Sequence, residues 1–153
     1  MDLIVAMMIF LVIVLMFMWA WGDANSNVWG YENSKTHREK AMNVLDVLLR
    51  TSGGPSNWED LQNVTGGNVT SIGLVSEPSV LDRAKLRRLS DIPYDEARRI
   101  MGFGSEGYGI EVMNDHGSIL YSFGEDHVPL VSIERFAMLG NDTVTFTLSI
   151  FQK

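Results

Sequence analysis

From Leu3 to Trp21 the chain carries no charged or strongly polar side chain. As a helix this run spans about 28 Å, close to the ~30 Å hydrocarbon core of a bilayer. A soluble core helix shows a polar stripe along one face, and here there is none. Secretory signals have a basic start, a shorter apolar run and a small-x-small cleavage site. This segment instead has Asp2 at its threshold and ends in Trp19-Ala20-Trp21, tryptophans placed as at an apolar–aqueous boundary. The pattern predicts a retained hydrophobic helix.

The stretch GDANSNVWGYENS (22–34) then interrupts the apolar signal with two glycines, several Asn and Asp23. It reads as a break or flexible joint. Helical spacing returns from about Tyr31 to Thr51, with Ala41, Leu45, Leu48 and Leu49 on one stripe, joined by Met42 and Val44. Asn33 or Ser34 is placed to cap this second helix. SGGP (52–55) stops it, because glycine supplies a left-handed terminus and proline forbids continuation.

Beyond residue 52 the pattern changes to short β-rich runs: VTSIGLV (69–75), YGIEVM (108–113), SILYSF (118–123) and VPLVSIERFAML (128–139). In TVTFTLSIF (143–151), Val144, Phe146, Leu148 and Ile150 alternate with Thr145, Thr147 and Ser149, a period of two. NDHG (114–117) and GND (140–142) are turn sequences, so antiparallel hairpins are expected. A helix is expected to start near Pro93, with Asp95-Glu96 in its first turn, Arg98 and Arg99 toward its end and Gly102 as its stop. The predicted class is α+β: a long N-terminal hydrophobic helix continuing into an amphipathic helix that packs on a mostly antiparallel sheet. The predicted parts are a hydrophobic helix (1–21), a joint and stem helix (22–51) and a globular β-rich head (52–153).

Charge and composition narrow the chemistry. The net charge is −7, and Asp2 is the only charge ahead of Asp23. An acidic surface repels phosphate backbones, so nucleic acid is not an expected partner. Cysteine is absent, which excludes disulfides, thiolate metal sites and cysteine nucleophiles. Lys35, Arg38 and Lys40 follow the apolar run and nothing basic precedes it. Read by the positive-inside rule, that puts the head in the cytoplasm; a basic leader ahead of Met1 gives the opposite orientation. Asp2 also has two readings. It caps the helix N-terminus in headgroup water, or it pairs with the N-terminal ammonium of a neighbouring chain.

The local motifs are weak. Gly102-Phe103-Gly104-Ser105-Glu106-Gly107 matches G-x-G-x-x-G, but it follows a predicted helix and precedes a strand, the reverse of a dinucleotide fingerprint. Asp115-His116 and Glu125-Asp126-His127 lack metal-ligand spacing and read as solvated loops. There is no G-x-S-x-G and no H-E-x-x-H, so no catalytic constellation and no cofactor is expected. Asn63-Val64-Thr65, Asn68-Val69-Thr70 and Asn141-Asp142-Thr143 are N-glycosylation acceptors by sequence; used acceptors would place the head outside the cell.

Three stretches, TSGGPSNWED, IGLVSEPSVLDRAKLRRL and DIPYDEARRIMGFG followed by strands, together resemble archaeal type IV pilin-like proteins, the class III signal peptide family. The likeness covers most of the chain and rests on the order and spacing of the motifs, with Asp2-Leu3-Ile4 opening a long apolar run as in that family. It implies a non-enzymatic structural subunit of a cell-surface filament for adhesion or attachment. Its partners would be copies of itself, the membrane before assembly, a prepilin peptidase that removes a short basic leader, and a pilus assembly machinery. The filament core would be the apolar helix: Asp2, Leu3, Val5, Met8, Phe10, Val12, Leu15, Phe17 and Trp19. Asp2 lies nearer the start than the family's usual acid. Met7, Met8, Met16 and Met18 suit a helix that meets several neighbours, since methionine fills irregular gaps. The alternative reading is a permanently anchored extracytoplasmic protein whose head binds a ligand or acts as a minor adhesin.

Overall fold

The computed structural model describes residues 2–152, with the side chains of residues 2 and 22–34 outside the described set. The chain divides into two compact units, Met1–Thr36 and His37–Lys153. Helix α1 is assigned over Asp2–Arg50. The joint expected at 22–34, with its cap at Asn33 or Ser34, lies within the bounds of α1, on residues whose side chains are outside the described set.

In the second unit, α1 is followed by β1 (Gly53–Gly54), a 3-10 turn at Trp58–Asp60, β2 (Ser71–Ile72), β3 (Val75–Glu77) and β4 (Val80–Leu81). Then come α2 (Arg83–Asp91), α3 (Tyr94–Ile100), β5 (Gly107–Asn114), β6 (Ile119–Gly124), β7 (Val131–Leu139) and β8 (Asp142–Phe151). β1 and β2 form a small two-stranded ladder. The other strands make one sheet in the order β3-β4-β7-β8-β5-β6, antiparallel except where β4 meets β7. The fold is α+β, as the periodicities predict. The hairpin β7–β8 turns through Gly140-Asn141, and Gly140 has φ +70°, the first-position requirement of a tight hairpin turn.

One face of the sheet carries Ile110, Val112, Val144, Phe146, Leu148 and Ile150, all fully buried. Ala41, Val44, Leu45, Leu48 and Leu49 of α1 join them in a single core with Leu86 and Leu89 of α2. Met42, placed on this stripe from the sequence, is instead 37% exposed. At 100° per residue it lies off the seam set by 41, 45 and 48. Residues 128–130, read as part of a strand, precede β7; Val128 is 91% exposed.

Two of the quoted stretches, 51–60 and 72–89, meet at the end of α1. Trp58 is fully buried, and its Nε1 donates to the Gly73 carbonyl at 3.0 Å. The Lys85 ammonium, on the inner side of α2, donates to the carbonyls of Ser52 (2.6 Å), Ser56 (2.8 Å) and Val75 (3.4 Å), with a Glu59 carboxylate oxygen at 3.9 Å. Leu74 N–H donates to Leu48 O, tying the loop to the helix. Gly73 has no room for a side chain: a Cβ there would lie 2.0 Å from Thr51 O. Gly73→Ala is expected to destabilise the chain by about 3 kcal/mol, as overpacking against fixed backbone does; a denaturant melt with an unshifted midpoint would count against this packing.

Candidate functional site

The most distinctive surface is the helix itself. Leu3–Trp21 has a mean hydropathy of 3.0 and no residue buried. Leu3, Val5, Met8, Phe10, Val12, Leu15, Phe17 and Trp19 all lie on α1, and all are exposed. They do not form one stripe. They cover every side of the helix, because the intervening positions are apolar too. Phe17 and Trp21, one turn apart, stack with ring centroids 5.9 Å apart. Asp2, assigned a role at the edge of this surface, lies outside the residues whose side chains are described. The segment is long and apolar enough to cross a membrane or to act as a signal sequence.

The Gly-rich loop at 102–107 has a structural task. Glu106 accepts both hydrogen bonds from the Lys40 ammonium of α1, at 3.0 and 2.9 Å, and also accepts from Gly104 N–H. His37 Nδ1 lies 3.7 Å from the same carboxylate, and Lys40 stands 5.8 Å from the centre of the Phe103 ring. The loop thus pins the start of β5 to α1. Gly102 has φ +80° and ends α3, as its position predicts. The Lys40 bonds hold the Glu106 carboxyl below its usual range, overriding the opposing effect of burial. A depressed carboxyl stabilises the fold above its unfolded value of about 4.3, and that contribution is lost as pH falls through the folded value. Lys40→Met is therefore expected to flatten the stability-against-pH curve below about pH 4.5. Parallel acid limbs for the two proteins would contradict the assignment.

Aromatic rings continue from this point. Phe103 stacks on Tyr108 and Tyr108 on Tyr94, with centroids 5.5 and 4.9 Å apart. Burial raises both phenols, Tyr108 strongly, so they remain protonated packing groups. A cleft of about 540 Å³ beside them is lined by Tyr94, Phe123, Ser122 and Glu125.

The remaining candidates are scattered. His116 lies 3.2 Å from Asp115, and His127 lies 3.6 Å from Glu125, each in an exposed loop. Among the described residues no three His, Asp or Glu side chains gather as metal ligands would. The three acceptor asparagines are not equivalent. Asn63 and Asn141 are exposed in turns. Asn68 is also exposed, but its carboxamide is committed: Oδ1 accepts from Thr65 N–H and Oγ1, and Nδ2 donates to Asn63 O at 2.6 Å. Sequence reasoning did not single out Lys40, Lys85, Glu106 or Trp58 for these contacts, although the last three sit inside stretches it quoted.

No protein family, curated protein or solved structure matches the chain.

Proposed function

We propose that the chain is a structural subunit of a cell-surface filament of the archaeal type IV pilus kind, with no enzymatic activity of its own. The observation that carries this reading is the composition of α1. Its first part is apolar on every side and wholly exposed, while its last turns supply buried core residues to a folded head. An all-round apolar helix is stable only in lipid or among other apolar helices. A filament subunit uses both environments in turn: membrane before assembly, and a bundle of identical helices afterwards. The motif order described above supports the same reading. In it, a prepilin peptidase removes a short basic leader, the assembly machinery carries the apolar helix from membrane to filament, Asp2 neutralises a neighbour's amine, and the exposed Asn63, Asn68 and Asn141 are on the outside. A cleaved signal or a lasting anchor uses the apolar helix in only one environment.

Removal of residues 3–21 separates these outcomes. The truncated chain is expected to be folded, water-soluble and unable to form filaments. Filaments that survive the deletion would refute the reading.

A further inference from the structure

The sheet face turned away from the helices has an ordered composition. In register across it lie Phe136 of β7, Thr145 of β8, Met113 of β5 and Ile119 of β6. Phe136 is 78% and Ile119 is 56% exposed, so this is an apolar band open to a partner. In the next row Glu134 and Glu111 flank Thr147, and Glu77 of β3 shares the same face through Val80 and Met138. Among the described residues, no strand position on this face is a lysine or arginine. Arg135 pairs with Phe146 and so belongs to the opposite face.

The helices have the opposite character. Every lysine and arginine between residues 37 and 152 other than Arg135 lies on α1, α2 or α3. Arg83 and Arg87, one turn apart on α2, are exposed, while Lys85, Leu86 and Leu89 of the same helix are buried. Those leucines share the core with α1 and the sheet's inner face, so α2 lies on the side away from the acidic face. One head therefore offers an acid-rimmed apolar band and, elsewhere, an exposed pair of arginines.

We propose that the outer sheet face of one subunit docks on the helix side of a second copy, with Glu111 and Glu134 opposite Arg83 and Arg87 and with Phe136 central to the contact. This rests on the filament reading and specifies its second interface, beyond the apolar helices. Like-charge repulsion disfavours sheet-to-sheet pairing. A contact between two different surfaces of one chain repeats without closing, which is how filaments grow. A buried aromatic inside a charged rim is the usual anatomy of such contacts.

A charge swap on the full-length chain tests it, read by negative-stain microscopy and by the pelleted fraction. Glu111→Arg with Glu134→Arg is expected to abolish filaments, and so is Arg83→Glu with Arg87→Glu. The four-residue variant, and an equal mixture of the two double variants, are expected to restore them, because opposite charges again face each other. Unchanged melting temperatures would show that loss of filaments is not loss of fold. Wild-type filaments alongside normal assembly of either double variant, or alongside no rescue, overturn the proposal and leave the filament reading standing. A wild-type chain that never assembles overturns both.

Discussion

Trp58→Ala is expected to lower the melting temperature of the chain by about 15 °C. Trp58 is fully buried, and removing a buried aromatic side chain costs about 4 kcal/mol through lost transfer energy and the cavity left behind. The Gly73 carbonyl also loses its donor, which adds about 1 kcal/mol. A domain of this size holds only about 5–15 kcal/mol in total, so the loss is a large share of it. The site cannot collapse to fill the gap. Gly53 approaches the indole so closely that a Cβ there would lie 2.6 Å from the ring, so backbone forms part of the cavity wall. Trp58→Phe separates the two terms, keeping most of the volume and losing only the N–H. It is expected to fall well short of the alanine variant. Equal losses from both, read by circular dichroism melts, would mean that the hydrogen bond and not the ring volume holds the clasp.

Val12→Asp is expected to lower the share of the chain in the membrane fraction and to abolish filaments. Val12 lies midway along Leu3–Trp21, where a carboxylate costs about 3 kcal/mol on insertion. In a bundle the charge is repeated in every subunit, with no cation in the segment to pair with it. Val12→Leu, which keeps the surface apolar, is expected to behave as the wild type. If the aspartate variant remained in the membrane fraction and in filaments at wild-type levels, the apolar surface would have some use other than helix packing or lipid.

How far the sequence reveals this architecture depends on which interactions decide each element. The β8 alternation and the stripe at Ala41, Leu45 and Leu48 are visible because burial alone sets them. Helix α2, by contrast, was not legible from its stripe. Its inner side presents Lys85, which breaks the apolar stripe, and the carbonyls of Ser52, Ser56 and Val75, with the Glu59 carboxylate nearby, offset the cost of that burial. Its N-cap was there to be read: Asp82 accepts from Ala84 N–H. The G-x-G-x-x-G match was set aside as a nucleotide fingerprint on its context, but nothing local marked Glu106 within it as the partner of Lys40. The apolar helix was legible in full, since its defining feature is the absence of polar residues. The outer-face band was not, because strand register alone puts Phe136, Met113 and Ile119 in one row.

The most direct test of the filament reading is negative-stain microscopy, with mass spectrometry, of material sheared from the surface of cells that make this protein. The account predicts thin filaments in which this chain is the dominant component, with an N-terminus close to Asp2. Recovery of the chain only in the detergent-extracted membrane fraction, with none in the sheared material, would contradict it.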